Sequence, residues 1–180
     1  MTDPGPLPDP ATYARMYRIL SIAMMSAIVL IAVLATFILP GSDAMPEQPL
    51  LLLAPVAVAV ALHLLAENVG YKGAALDPAA APADLMRETQ IGWQSLAILR
   101  LALTESLGIM GLAAAFVVTD GGLAIVWLSA VLSLALMIFH GHAWSRPVLM
   151  VTVMQERGGA TSPLPEIFGV TRPDGVIRRM

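Results

Sequence analysis

Five ionisable residues interrupt long apolar stretches of the sequence: His63, Glu67, Arg100, Glu105 and His140. Ionisable groups are costly in the hydrocarbon of a membrane, so they are the first candidates for function. Glu105 lies nearest the middle of the predicted membrane, and a carboxylate that exchanges protons there is typical of proton relays. One hypothesis is therefore a proton-coupled transport or relay element centred on Glu105. The alternative for this residue is a neutral carboxyl group that only forms a hydrogen bond.

The other four groups have two interpretations. His63 and Glu67 are four residues apart, so they project from one face of a helix. Arg100 is expected at a depth between theirs, where it can pair with Glu67 across a helix interface. With His140, these residues are either supporting members of the relay or an internal polar set that fixes the register of the helices.

His63 and His140 also raise the question of a cofactor. Their similar predicted depth allows them to act as the two axial ligands of a haem b, which gives a membrane electron carrier as another hypothesis. A metal site built from His63, Glu67, Glu105 and His140 has acceptable ligand types, but the positive charge of Arg100 among them argues against it. The sequence thus predicts no metal site and, haem apart, no cofactor.

The composition shows which environment surrounds these groups. Hydrophobic residues make up 57% of the chain and charged residues 13%, against about 45–50% and about 25% in average soluble domains. The apolar side chains must therefore face lipid. The ten basic residues are dispersed, which argues against a nucleic-acid partner because phosphate binding needs clustered basic charge. Cysteine is absent, which excludes disulfides and thiolate metal sites.

Four apolar stretches reach the length of about 20 residues that a spanning helix needs. We therefore predict an all-α integral membrane protein with a four-helix transmembrane domain over residues 15–144. Its helices are expected at about 19–39, 50–69, 93–118 and 123–144. Residues 71–92 form the longest predicted loop, with a short amphipathic helix beginning near Pro82.

Orientation follows from the basic residues, which concentrate in cytoplasmic segments of membrane proteins. The N-terminal segment, the loop 71–92 and the C-terminal segment carry them, at Arg15, Arg18, Lys72, Arg87, Arg146, Arg157, Arg172, Arg178 and Arg179. We therefore expect both termini and the loop 71–92 in the cytoplasm of a bacterial cell, with the protein in the inner membrane. An aromatic belt is expected at the cytoplasmic membrane surface, formed by Trp93, Trp144, Tyr13, Tyr17 and Tyr71, and Trp127 is expected to mark the outer surface.

The two terminal segments differ in kind. Residues 1–14 begin with a proline-rich stretch that predicts a disordered leader. Residues 145–180 form a C-terminal tail in which apolar residues alternate with Pro and Gly. This pattern fits a segment that docks on a partner or on the chain's own cytoplasmic face, and it equally fits a partly disordered tail.

A stripe of small residues follows the third predicted helix, at Thr104, Gly108, Gly111 and Ala115. Their spacing places them on one face, where another helix backbone can approach closely. The approaching helix is either helix two or four of the same chain or a helix of a partner subunit.

The third helix resembles a known family over residues 102–116, which read ALTESLGIMGLAAAF. This segment is similar to the outer helix of the rotor-ring proteolipid of rotary ATP synthases. Residues 55–61, PVAVAVA, are similar to the family's glycine-repeat inner helix, with Ala in place of Gly. The resemblance implies that Glu105 carries a proton or a sodium ion. It covers helices two and three only.

No nucleotide-binding loop, zinc motif or serine-nucleophile pattern occurs in the chain. The first functional hypothesis is therefore a non-enzymatic accessory, assembly or scaffolding subunit of a larger membrane complex. Its expected partners, besides the lipid bilayer, are other membrane subunits or further copies of the chain, held through helix three and the C-terminal tail. The relay and the haem-b carrier are the alternatives.

Overall fold

The computed structural model describes residues 8–39, 45–46, 48–118 and 120–172, and within them the secondary structure is entirely helical. The helices are α1 (Pro10–Ile38), α2 (Leu53–Val69), α3 (Pro82–Ala115), α4 (Gly122–Leu136), α5 (Ser145–Gln155) and α6 (Leu164–Phe168). A 3₁₀ helix (Pro49–Leu52) precedes α2, a π-helical turn (Met137–Gly141) ends α4, and a second 3₁₀ helix (Glu156–Gly158) follows α5. The all-α prediction is confirmed.

Four helical segments are long and apolar enough to cross a membrane: Pro10–Ile38, Pro49–Val69, Pro82–Ala115 and Gly122–Gly141. They correspond in order to the four predicted spans. The prediction of a multi-pass membrane protein with four spanning helices therefore agrees with the structure.

Two of these helices begin earlier than predicted. α1 begins at Pro10 rather than residue 19, so residues 10–14 are helical and do not belong to a disordered leader. The Asp9 side chain explains this start, because its Oδ1 atom accepts hydrogen bonds from the backbone N–H groups of Ala11 and Thr12 at 3.1 and 3.0 Å. Its hydrogen bonds with Thr12 hold the pKa of the Asp9 carboxyl below its usual value. Residues 1–7 lie outside the described part of the chain.

α3 begins at Pro82, where the sequence predicted only a short amphipathic helix inside a loop. That helix continues without a break into the predicted membrane span, so the loop is limited to residues 70–81. Proline suits the first turn of a helix, because the N–H group that it lacks has no helical acceptor there. The length of an apolar stretch predicts how much of a helix can lie in lipid. It does not predict where the helix itself begins, and α3 begins before its apolar stretch.

The chain forms two compact units. The first comprises the described residues within Met1–Leu20, Tyr71–Leu96 and Ala143–Met180, and the second comprises those within Ser21–Gly70 and Ala97–His142. α1 and α3 each contribute their first part to the first unit and the remainder to the second.

Aromatic rings form the core of the first unit. The Phe168 ring lies 4.9 Å from the Trp93 ring and 5.8 Å from the Tyr17 ring, and Tyr17 and Trp93 are 5.5 Å apart. Four of the residues predicted for the membrane-surface belt are buried in the chain and do not belong to it: Trp93, Tyr17, Tyr13 and Tyr71. Trp144 is exposed. An aromatic residue near the end of a span fits either a membrane-surface belt or a packed core. The contact with Phe168, which is distant in sequence, shows that these rings belong to a core.

The C-terminal tail is ordered from residue 145 to residue 172 and docks on its own chain. Arg18 Nη2 donates a hydrogen bond to the Phe168 carbonyl at 2.9 Å. Arg172 pairs with Glu156 at 2.8 Å and donates to the Ser162 carbonyl at 2.6 Å. The sequence left open whether this tail docks on a partner, docks on its own chain or is partly disordered. Residues 145–172 dock on their own chain, and residues 173–180 lie outside the described part.

In the second unit, the small-residue stripe of α3 is filled by helices of the same chain. Thr104, Gly108, Gly111 and Ala115 are all buried. A Cβ atom on Gly111 would lie 2.2 Å from the Ser129 Cβ atom of α4, and one on Gly108 would lie 2.9 Å from Ile28 of α1. The sequence predicted α4 as one possible partner and did not foresee α1.

Candidate functional site

Arg100 organises the polar part of the second unit. Its side chain is fully buried. Its Nε atom donates a hydrogen bond to the carbonyl oxygen of His140 at 2.7 Å, and its Nη1 atom donates to the carbonyl oxygen of Gly70. Gly70 is the C-cap of α2, and His140 lies in the π-helical turn that ends α4.

These two carbonyl groups need an outside donor because the last carbonyls of a helix have no partner within it. One guanidinium thus satisfies the ends of two helices, and its positive charge complements the negative end of each helix dipole. Arg100 is therefore a structural cap for α2 and α4.

Two glycines let α3 approach these helix ends. A Cβ atom on Gly70 would lie 2.6 Å from Arg100 Cγ, and one on Gly141 would lie 2.4 Å from Leu101 Cδ2. The sequence analysis missed these acceptors. A glycine after an apolar run is typical of a helix C-terminus. Gly70 and Gly141 follow such runs, so they could have indicated where helix-end carbonyl groups need a donor.

The π-helical turn gives His140 its position. The backbone N–H of His142 donates to the Met137 carbonyl at 3.1 Å, five residues back, so the turn is wider than an α-helical turn. Such turns occur frequently at functional sites. His140 is fully buried by this arrangement, whereas the His142 ring pairs with Ser21 Oγ at 3.2 Å.

The His140 ring lies between two ionisable partners from α2. Its Nε2 atom is 2.9 Å from His63 Nδ1, a hydrogen bond in which the donor depends on the tautomers. Its Nδ1 atom is 3.6 Å from Glu67 Oε1, an ion-pair contact slightly longer than a hydrogen bond. The order is therefore Glu67, His140, His63, with each ring nitrogen of His140 facing one partner.

One edge of this cluster is accessible. His63 is partly exposed, and the Glu67 side chain is 26% exposed. The Phe139 ring contacts the His140 ring at a centroid distance of 4.9 Å and the His63 ring at 5.7 Å, and it shields the cluster on that side. Glu67 lies two residues before the end of α2, so the accessible edge is near one end of this helix, and the buried His140 is reached only through His63 and Glu67.

The geometry of the cluster is close to that of a metal site but not to that of a haem site. His63, Glu67 and His140 each offer one ligand atom, and these atoms lie within 4.8 Å of one another. A haem would need its porphyrin between the two histidine rings, which here are joined directly by the hydrogen bond of His63 Nδ1 and His140 Nε2. Haem binding therefore requires the two rings to separate, and it stays a prediction from the sequence.

Glu105 does not belong to this group. It lies on α3 between the exposed residues Ala102 and Ile109, on the face that points out of the second unit, and it is partly exposed. Among the described residues, its carboxylate makes no hydrogen bond or ion pair. The structure thus brings His63 and Glu67 against the His140 ring and Arg100 against the His140 carbonyl, but it leaves out the residue on which the relay hypothesis was centred.

Comparison with family models, curated proteins and solved structures finds no match to this chain. The local resemblance of α3 to the rotor-ring proteolipid stays a prediction from the sequence. The functional argument therefore rests on the geometry of the second unit.

Removing the Arg100 guanidinium should destabilise the fold. In Arg100→Met the carbonyl groups of Gly70 and His140 lose their donors. Hydrogen bonds from charged groups contribute about 1.5–3 kcal/mol each, so we expect the free energy of unfolding to fall by about 3 kcal/mol or more. Unfolding in detergent micelles measures this loss. The control is Arg87→Met, at an exposed position of the same helix, and equal stability of the two variants would contradict the capping role.

Proposed function

We propose that the chain is a multi-pass protein of a bacterial inner membrane, with its terminal segments and residues 71–92 in the cytoplasm. The distribution of basic residues supports this orientation. So does the packing of the first unit, because segments that pack together lie on one side of a membrane. Tyr13 donates a hydrogen bond to the Gln90 carbonyl at 2.8 Å, and Arg18 donates to the Phe168 carbonyl.

Single-cysteine labelling tests this orientation, and the cysteine-free chain gives a blank background. Asp120→Cys lies between the third and fourth spans and Lys72→Cys follows the second, both at exposed positions. In intact spheroplasts, a membrane-impermeant maleimide should label the cysteine at position 120 only. The cysteine at position 72 should react only after the membrane is permeabilised, and the reverse pattern would overturn the proposed orientation.

For the function itself, we propose a proton relay through the Glu67–His140–His63 cluster. The observation that carries this proposal is the His140 ring, with one nitrogen facing a second imidazole and the other facing a carboxylate. Histidine and glutamate chains inside membranes are typical of proton relays. The sequence centred this relay on Glu105, and the geometry favours His140 as the centre.

The relay moves a proton from His63 to Glu67, about one turn apart on α2, by two transfers inside the cluster. With both rings neutral and Glu67 ionised, His63 carries its hydrogen on Nδ1 and His140 carries its hydrogen on Nδ1. A proton that binds His63 Nε2 makes this ring cationic, and its Nδ1 proton passes to His140 Nε2. The Nδ1 proton of His140 then passes to the Glu67 carboxylate, which releases it. Each ring ends with its hydrogen on the other nitrogen, so rotation of the rings restores the starting state.

Proton flux in reconstituted vesicles tests the relay. Vesicles containing the wild-type chain should dissipate an imposed pH gradient faster than protein-free vesicles, in the presence of a metal chelator. We expect His140→Ala to reduce the protein-dependent flux about tenfold or more, because the chain of donors is broken. A wild-type flux equal to that of protein-free vesicles would rule the relay out.

Two variants sharpen this measurement. His142→Ala alters a neighbouring histidine outside the cluster and should keep the wild-type flux. Glu105→Gln should keep it too, because the Glu105 carboxylate faces away from the cluster. A flux lost in Glu105→Gln but retained in His140→Ala would return the centre of the relay to Glu105.

A second candidate function is that of a non-enzymatic accessory or assembly subunit of a larger membrane complex. The observation that favours it is Glu105, a carboxylate on the outward face of a predicted membrane span. A carboxyl group exposed to hydrocarbon is costly, so a hydrogen-bond donor from another subunit or a second copy would stabilise it. Such a partner would contact α3 through Ala102, Glu105 and Ile109.

Co-purification in mild detergent tests this second candidate. A partner or a second copy should accompany the wild-type chain and be lost from Glu105→Leu, which removes the polar group but keeps the bulk. Ile109→Leu, on the same face, should retain it. A wild-type chain that purifies as a monomer without an accompanying protein would count against the accessory role.

A further inference from the structure

We propose that His63, Glu67 and His140 form a binding site for a divalent transition-metal ion, with Zn²⁺ as the ion that their chemistry fits. The claim of binding rests on the geometry of the cluster alone. Its consequence, that a bound ion would stop proton transfer, rests on the proposed relay.

The types and spacing of the three ligands support this site. His63 and Glu67 lie four residues apart on α2, so their side chains project from one face of the helix. His140 approaches from the end of α4. Two imidazoles and one carboxylate are a known ligand set for zinc in sites that keep a fourth position open.

The distances in the cluster are close to those of a coordinated ion. Zinc bonds of about 2.0–2.1 Å at tetrahedral angles place ligand atoms about 3.3 Å apart. The His63 Nδ1 and His140 Nε2 atoms are 2.9 Å apart, and the three ligand atoms lie within 4.8 Å of one another. His63 faces Nε2 of His140, whereas the Glu67 carboxylate faces Nδ1. To complete the site, the Glu67 side chain must therefore turn toward Nε2, and its partial exposure leaves room for this movement.

Binding of the ion replaces the hydrogen bond between the two rings. The hydrogen held between His63 Nδ1 and His140 Nε2 moves to the far nitrogen of its own ring, which frees both lone pairs for the metal. Glu67 contributes a negative charge to offset the ion. The Arg100 charge opposes binding, but two of its donor groups are directed at the backbone carbonyls of Gly70 and His140.

Titration of the purified chain with ZnCl₂ and CoCl₂ tests the site. Cysteine is absent and the chain has three histidines, so the background is low if the affinity tag contains no histidine. We expect one Zn²⁺ per chain by calorimetry and a visible absorption band of tetrahedral Co²⁺ that Zn²⁺ removes. The wild-type chain should also unfold at a higher temperature in Zn²⁺.

Four variants assign the ligands. His63→Ala, His140→Ala and Glu67→Gln should each lower the affinity for Zn²⁺ at least tenfold, whereas His142→Ala should leave it unchanged. Glu67→Gln retains the shape of the side chain, so its result does not depend on a disrupted fold. No stoichiometric binding, no Co²⁺ band, or unchanged affinity in Glu67→Gln and His63→Ala would overturn the proposal.

The same preparations separate this proposal from the relay. Proton flux is measured in a chelator, and metal binding is measured without a pH gradient, so either can fail alone. Where both hold, Zn²⁺ should reduce the flux of the wild-type chain to the level of His140→Ala, and the chelator should restore it. A flux that persists at saturating Zn²⁺ would overturn the inhibitory consequence and leave the binding result intact.

Discussion

The second unit depends on one buried guanidinium. The last carbonyl groups of a helix have no partner within it, so a helix end that is buried, as at Gly70 and His140, needs a donor from elsewhere in the fold. Arg100 supplies this donor to α2 through Gly70 and to the end of α4 through His140. The two helices must therefore end close to the same point of α3, which fixes their register. A lysine would replace this arrangement poorly, because its donors diverge from one nitrogen, whereas the guanidinium presents Nε and Nη1 in a fixed plane.

The polar cluster is a consequence of the same constraint. Arg100 holds the backbone of His140, and the ring of the same residue faces His63 and Glu67. The wide π-helical turn buries this ring while its carbonyl remains available to the guanidinium. Stability and chemistry therefore share one residue: a displaced Arg100 would move the His140 ring out of line with its partners, even though the guanidinium itself transfers no proton.

Hydropathy was sufficient to predict four helices that are long and apolar enough to cross a membrane, and the spacing of four residues was sufficient to place His63 and Glu67 on one face of α2. The fold of the first unit was not predictable in this way. Phe168 packs on Trp93 and Tyr17 from far along the chain, and hydropathy carries no information about such pairs. The acceptors of Arg100 were also missed, because a backbone carbonyl has no signature in a sequence unless the helix end is known to within a residue.

The position of Glu105 follows from the small-residue stripe on the same helix. Thr104, Gly108, Gly111 and Ala115 face the interior of the second unit, and successive residues of a helix point about 100° apart. Glu105 is therefore turned from Thr104 toward the exposed Ala102 and Ile109, and it is partly exposed outside the cluster around His140. The ionisable groups in the predicted spans divide into two sets: Arg100, Glu67 and His63 each contact His140, whereas the Glu105 carboxylate is partly exposed outside this cluster. Any role of Glu105 must then involve lipid, a bound proton or another subunit, independently of the chemistry at His140.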